Sequence, residues 1–158
     1  SVRGAAAGYG LSLVMACDLA IAAEDAYFTL AYVNIGTSPD GSGTYSLPRI
    51  VGVRKALEIA LLGDRFDARE AHRLNLVNYL VPAAELDAAT DKLARRLANG
   101  PSVAIGNTKR LIHQSPDASY ERQLHDEAVS FSQCVASDDM MEGIRAFVEK
   151  RKPQFKGK

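Results

Sequence analysis

The fold is decided near the start of the sequence, by Ser1-Val-Arg-Gly-Ala-Ala-Ala-Gly-Tyr-Gly-Leu-Ser12. Three glycines lie among alanines here, and the apolar run from Leu11 to Cys17 follows directly. Glycine tolerates positive φ and lets a turn pass close to another group. The pattern therefore predicts a tight turn, and then a buried helix that starts near Tyr9 or Gly10.

The start of this helix has a functional interpretation and a structural one. Its first N–H groups have no partner within the helix, so they can hold an anion or the developing charge on a carbonyl oxygen. A strand-to-helix connection inside a core explains the same residues without a ligand. The glycines do not form a dinucleotide-binding motif, because Gly4-x-x-x-Gly8-x-Gly10 lacks the Gly-x-Gly-x-x-Gly spacing. The residues alone leave both interpretations open.

The composition limits the class of protein. A length of 158 residues allows one domain with a substantial core. The 19 basic and 19 acidic residues balance, which gives no support to nucleic-acid or membrane binding, and no apolar run approaches the roughly 20 residues of a membrane span. The two isolated cysteines do not form a disulfide framework, so we expect a cytoplasmic protein. The three histidines lack metal-ligand spacing, so no metal site is expected.

The pattern of apolar residues changes near Pro82. Before it, short apolar segments alternate with helical patterns, and a loop is expected from Asn34 to Gly43. Asp67 is a plausible N-cap ahead of Glu70. After it, every segment has helical spacing. We expect strands at 19–23, 27–30 and 76–81, and helices at 44–52, 53–62, 67 onward, 86–97, 101–114, 120–136 and 138–150.

Five segments resemble, in order, the enoyl-CoA hydratase/isomerase (crotonase) family. They are Gly4–Asp18, Ala26–Gly36, Pro39–Gly52, Ala68–Asn78 and Gly143–Phe155, with Asn75 where glycine is usual. The resemblance implies an α/β, crotonase-like fold, in which a ββα spiral core (here residues 1–81) precedes an all-helical C-terminal trimerisation region (82–158). Family members normally carry a further segment before the glycine-rich stretch, so we expect the N-terminal portion of the family domain to be absent from this chain.

The resemblance also implies an enzyme that processes acyl-CoA and stabilises a thioester enolate in an oxyanion hole. The backbone N–H of Tyr9 matches the second oxyanion donor, and the first is expected outside the chain. Gly8 and Gly10, on either side of Tyr9, are expected to contact the substrate. Phe147 and Lys150 match an aromatic residue and a lysine that contact CoA, although a solvated basic helix end is the alternative. The resemblance implies a homotrimer or a dimer of trimers. Coenzyme A is expected as part of the substrate, with no resident cofactor.

The residues expected to carry the chemistry distinguish between reactions of the family. Hydratases use two glutamates, whose places match Ser12 and Tyr32. Neither hydroxyl ionises near neutrality, so the pattern disfavours a standard hydratase. Asp40 matches a loop aspartate of several isomerases, and a carboxyl group buried beside an apolar acyl chain holds a proton more readily, as a proton shuttle requires. An ordinary solvated turn at Pro39-Asp40-Gly41 is the alternative.

The sequence thus predicts an enzyme that shifts a double bond or isomerises an enoyl- or aryl-CoA by proton transfer through Asp40, while Tyr32 and Ser12 shape the pocket. Three alternatives stay open. They are an enoyl-CoA hydratase with atypical acid/base residues, a hydrolase or dehalogenase with Asp40 as nucleophile, and a catalytically inactive trimer-forming subunit. Fatty-acid metabolism and aromatic degradation both fit.

Overall fold

A computed structural model describes all 158 residues, which divide into two compact units, Ser1–Asp91 and Lys92–Lys158. The strands are β1 (Ala5–Ala7), β2 (Ile21–Ala23), β3 (Tyr27–Thr29), β4 (Phe66–Asp67) and β5 (Tyr79–Val81). The helices are α1 (Tyr9–Ala16), α2 (Gly43–Val51), α3 (Val53–Leu62), α4 (Ala68–Arg73), α5 (Leu86–Ala98), α6 (Ser102–Gln114), α7 (Tyr120–Val135) and α8 (Asp138–Val148). Short 3₁₀ turns cover Ala31–Ile35, Ala83–Glu85 and Ser115–Asp117.

The first unit is built on two small sheets. In one, β3 pairs with β1 in parallel and with β4 antiparallel, so that Ala6 lies opposite Phe28 and Phe28 opposite Phe66. In the other, β2 pairs in parallel with β5. Parallel neighbours need a crossover, and α1 supplies the first one between β1 and the following strands.

The core of the first unit forms where α1 and α2 cover the three-stranded sheet. Phe28 is fully buried and stacks on Phe66 with ring centroids 5.8 Å apart. Leu11, Leu30 and Leu47 are also excluded from solvent. Burying a side chain of this size stabilises a fold by about 1.5–3 kcal/mol, so these contacts fix α1 and α2 against the sheet.

The second unit is entirely helical. Ser119 and Ser137 cap α7 and α8, since their hydroxyls accept the N–H groups of Arg122 and Met140. Asp139, 3% exposed, accepts the N–H groups of Lys156 and Gly157 at 2.7 and 2.8 Å. The C-terminal segment is therefore attached to the start of α8.

The expected change from an α/β first part to a helical second part is confirmed. The sequence places this change at residues 81 and 82, whereas the two compact units meet at Asp91 and Lys92, within α5. The assignment of separate roles to the two parts stays a prediction.

Several details of the structure differ from the sequence-based expectations. The strands expected at 19–23 and 76–81 begin only at Ile21 and Tyr79. Strands β1 and β4 were not predicted. Cys17, placed by the sequence within the first helix, follows its last residue and is exposed. The loop expected from Asn34 begins inside a 3₁₀ turn instead.

No helix is both long and apolar enough to cross a membrane.

Candidate active site

The candidate site lies at the carboxyl ends of β1 and β3. These strands are parallel neighbours in register, with Ala7 opposite Thr29. The chain leaves β1 through Gly8 into α1, and it leaves β3 through Leu30 into the 3₁₀ turn that carries Tyr32. Because parallel strands end at a common edge, the start of α1 and Tyr32 come to the same side of the sheet, which is where ligands bind in α/β folds.

Gly8 sets the point at which α1 starts. Its φ of 53° and ψ of −119° are accessible to glycine and strained for other residues. The Gly8 N–H donates to Thr29 O at 2.9 Å, and its carbonyl accepts the N–H groups of Leu11 and Ser12 at 3.0 and 3.2 Å. The N–H groups of Tyr9 and Gly10 therefore precede the first intrahelical bonds and point out of the helix end.

Asp40 is held by three hydrogen bonds. Its carbonyl accepts the Gly43 N–H at 3.1 Å and the Ser12 hydroxyl at 3.0 Å. Its carboxylate oxygen Oδ1 accepts a hydrogen bond from the Tyr32 hydroxyl. Both the backbone and the side chain of Asp40 are thereby positioned, within a turn that leaves Asp40 exposed.

This contact changes the pKa of the Tyr32 hydroxyl. Its hydrogen bond to the Asp40 carboxylate raises the pKa of Tyr32 above the usual value of 10.0, because ionised phenol could no longer donate it. Partial burial acts in the same direction, and a hydrogen bond with the Ser12 hydroxyl acts against it. Tyr32 is therefore a firmly protonated hydrogen-bond donor at neutral pH.

The apolar surroundings expected for Asp40 are not supplied by this chain. Asp40 is exposed, whereas Ser12 is fully buried. An exposed carboxylate is well solvated, so any desolvation of Asp40 has to come from a bound acyl group or from another part of the protein.

Two glycines bring the Asp40 segment close to α1. A Cβ atom on Gly41, whose φ is 57°, would lie 2.6 Å from ring atoms of Tyr9 and 3.2 Å from Ser12 Cβ. A Cβ atom on Gly43 would lie 3.0 Å from Ser12 Oγ. The sequence predicts a loop over these glycines, and their close packing against α1 was not predicted, although the spacing Gly41-Ser-Gly43 was an available signal.

The sequence-predicted residues fall into two groups. Tyr9, Ser12, Tyr32 and Asp40 lie together, and Gly8 lies beneath the Tyr32 ring, whose nearest atom would be 3.7 Å from a Cβ on Gly8. Gly10 has open space where its Cβ would be. The remaining two, Phe147 and Lys150, belong to the second unit.

Phe147 and Lys150 lie at the end of α8. The Phe147 side chain is 85% exposed, and the Lys150 N–H donates to the Phe147 carbonyl at 3.2 Å. Lys150 has a φ of 54°, which is uncommon for a residue with a Cβ. The role expected for this pair in CoA binding stays a prediction.

Comparison with known proteins places this geometry in a family. A model of the family described as enoyl-CoA hydratase/isomerase matches residues 1–158. The chain belongs to this family. Among its relatives, a protein of Rhodobacter capsulatus named "Probable enoyl-CoA hydratase" is 39% identical over 158 residues, which are 100% of this chain and 62% of the relative. The 1,2-epoxyphenylacetyl-CoA isomerase of Escherichia coli is 37% identical over 158 residues, or 100% of this chain and 60% of that protein.

Solved structures agree with the family assignment. The crystal structure of an enoyl-CoA hydratase from Polaromonas sp. JS666 matches with a TM-score of 0.94 at 36% identity, covering 98% of this chain and 60% of that one. The predicted crotonase-like α/β fold is thus confirmed. The chain spans about three fifths of the length of these enoyl-CoA hydratase/isomerase relatives. No group of three or more His, Cys, Asp or Glu side chains is arranged to hold a metal ion.

Proposed function

We propose that the protein acts on acyl-CoA thioesters and moves a proton along the acyl chain, so that it shifts a double bond or isomerises an enoyl- or aryl-CoA. The observation that carries this proposal is the Asp40 carboxylate, held by Tyr32 next to the helix that begins at Tyr9. A base and an unpaired backbone N–H at one strand edge are the two groups that enolate chemistry needs.

In the proposed reaction, the thioester carbonyl accepts a hydrogen bond from the Tyr9 N–H. Asp40 removes a proton from a carbon atom of the acyl chain, and the electron pair moves toward the carbonyl oxygen as an enolate. The same carboxyl group then returns the proton to a different carbon, so no atom is gained or lost. One such N–H donor contributes about 3 kcal/mol to stabilising the transition state.

Tyr32 has a separate part in this proposal. Its hydroxyl donates to Oδ1 of Asp40, which leaves the second carboxylate oxygen for the substrate. A donor on one oxygen fixes the orientation of the carboxylate and keeps the other oxygen aimed at the acyl chain. The raised pKa of Tyr32 keeps this donor protonated at neutral pH.

Hydration of an enoyl-CoA is supported less well by the site residues. Positions 12 and 32 carry serine and tyrosine, and neither side chain serves as a general base near neutral pH. The names of the relatives include both a hydratase and an isomerase, so the names alone do not choose between the reactions. The site residues favour isomerisation.

The second unit has a part in the proposal as well. Phe147 is highly exposed, and Lys150, whose N–H donates to the Phe147 carbonyl, is an exposed lysine. An exposed aromatic ring and a lysine suit the adenine ring and the phosphates of coenzyme A. We include self-association as a homotrimer, or as a dimer of trimers, in the same proposal. CoA enters as part of the substrate, and the proposed chemistry needs no resident cofactor.

The test is turnover of the full-length protein on crotonyl-CoA, a β,γ-enoyl-CoA and an aryl-CoA. We expect isomerisation, and we expect Asp40→Asn to lower kcat about a hundredfold, the typical effect of losing a general acid/base. Asp64→Asn, which changes another exposed loop aspartate of the first unit, is the matched control and should retain full activity.

Three outcomes would contradict the proposal. Fast hydration of crotonyl-CoA that is unaffected by Asp40→Asn would indicate a hydratase whose acid/base lies elsewhere. A stable acyl adduct on Asp40, detected by mass spectrometry, would indicate the hydrolase or dehalogenase type. Absence of turnover in both the wild type and the variant would indicate an inactive subunit.

A further inference from the structure

We propose that Ser12 is a positioning residue, whose buried hydroxyl fixes the place of Asp40 relative to the Tyr9 N–H. This inference rests on the function proposed above, in which Tyr9 and Asp40 act on the same substrate. It gives Ser12 a role different from the one that sequence analysis expected, because the hydroxyl does not line the pocket.

The Ser12 hydroxyl is not accessible to a substrate. Ser12 is 0% exposed, and its hydroxyl proton is donated to the Asp40 carbonyl at 3.0 Å. A hydroxyl that is buried and already donating cannot protonate or bind a substrate. Ser12 therefore acts on the reaction through its neighbours, by its hydrogen bond to Asp40 and by its contact with Tyr32, which itself holds Asp40.

The hydrogen bond from Ser12 joins two segments that are distant in the sequence. The Asp40 carbonyl has two donors, the Gly43 N–H and the Ser12 hydroxyl. The Gly43 bond closes a turn of four residues and fixes only the local shape of the segment. The Ser12 bond spans 28 residues and joins the Asp40 segment to α1, which is the helix that begins with the Tyr9 N–H.

The Ser12 side chain packs closely against the Asp40 segment. The Ser12 side chain lies between the backbone of Gly41 and that of Gly43, where added Cβ atoms would be 3.2 Å from Ser12 Cβ and 3.0 Å from Ser12 Oγ. The slot is filled by a side chain of serine size that carries a donor. Losing the donor leaves the segment free to shift against α1, and a misplacement of about 1 Å is enough to reduce catalysis severely.

The experiment is a double-mutant cycle on Ser12→Ala and Asp40→Asn in the full-length protein, measured with a β,γ-enoyl-CoA. We expect Ser12→Ala to lower kcat about tenfold with KM changed less than about twofold, since the bond orients the acid/base and does not contact the substrate. In the Asp40→Asn background, where no acid/base is left to position, Ser12→Ala should have no further effect on residual turnover measured with enzyme in excess.

Thr29→Val is the matched control for loss of a buried hydroxyl. Thr29 is 4% exposed and its hydroxyl donates to the Gly63 carbonyl, also at 3.0 Å, so the two variants should lose comparable stability. Only Ser12→Ala should lose kcat. Ser12→Cys, which retains a weaker donor of similar size, should have an intermediate kcat and covers the case in which Ser12→Ala does not fold.

The outcomes separate this inference from the proposed function. If Asp40→Asn has wild-type turnover, the proposed function is wrong. If Asp40→Asn is impaired while Ser12→Ala has wild-type kcat, or lowers kcat by the same factor in both backgrounds, the positioning role alone is wrong. Where Ser12→Ala does not fold, a wild-type kcat for Ser12→Cys has the same meaning.

Discussion

At the scale of single residues, the site is defined by the pairing of a phenol with a carboxylate. Tyr32 donates to Asp40, and this contact raises the pKa of Tyr32. A group whose pKa is higher in the folded state stabilises the fold while it is protonated. The Tyr32 contact therefore contributes stability below pH 10, the pKa of an unperturbed tyrosine, and the contribution is lost as the pH rises through the raised value.

The pairing predicts a change in tyrosine titration. Removing the charge with Asp40→Asn should lower the pKa of Tyr32, because the strongest cause of the upward shift disappears. NMR of ring-labelled tyrosine across alkaline pH measures this, with Tyr32→Phe to assign one signal among the six tyrosines. An unchanged Tyr32 titration in Asp40→Asn would show that the two side chains do not interact in solution.

At the scale of elements, the site depends on how closely the segment before α2 approaches α1. Gly41 permits this approach for two reasons, its positive φ and the absence of a Cβ that would lie 2.6 Å from the Tyr9 ring. Gly36 has a similar φ of 75°, but a Cβ atom on Gly36 would meet no other atom within 4 Å. Comparing alanine variants at Gly41 and Gly36 therefore separates the effect of backbone strain from the effect of a close contact.

We expect Gly36→Ala to be destabilised by about 1–2 kcal/mol, since alanine is strained at this φ value, and Gly41→Ala to be destabilised by more, because its Cβ also clashes with the Tyr9 ring. Gly41→Ala should also lose turnover, because its methyl group forces Tyr9 or the Asp40 segment to move. Denaturant unfolding and acyl-CoA turnover on both variants measure the two effects. Equal activity in the two variants would show that the approach of this segment to α1 does not matter for the reaction.

Elements with strong local signals could be predicted from the sequence. Helix α3 has the predicted bounds, and Asp67 caps α4 by accepting the Glu70 N–H at 2.8 Å, as the spacing of the two residues indicated. Strand β1 was missed because Ala5–Ala7 has low strand propensity and forms through pairing with β3. Propensity does not report such long-range pairing.

The candidate site could be predicted only in part, for a related reason. The resemblance selected Tyr9, Ser12, Tyr32 and Asp40, and the structure places them together. Which groups bond to which could not be read from spacing, because Ser12 and Asp40 are 28 residues apart. Their contact depends on α1 and the segment before α2 packing on the same sheet.

At the scale of the whole molecule, opposite charges form local ion pairs. The chain has no net charge, and one cluster of charged side chains holds the C-terminal segment to α8. Glu142 accepts from Arg151 at 2.6 Å and from the Gln154 N–H at 2.8 Å. The Arg151 hydrogen bonds, aided by the Gln154 N–H, lower the pKa of Glu142 from 4.5 to about 2.

This cluster predicts that acid releases the C-terminal segment. A lowered pKa gives stability that is complete above pH 4.5 and is lost as the pH falls through about 2. The amide ¹⁵N heteronuclear NOE of Gln154 should therefore drop across that range, and Glu142→Gln should show the low value already at neutral pH. Glu149→Gln is the matched control, because Glu149 also pairs with Arg151, at 2.6 Å, but accepts no backbone N–H from the segment. A segment that stays equally ordered in Glu142→Gln at neutral pH would show that the buried Asp139, and not Glu142, holds it.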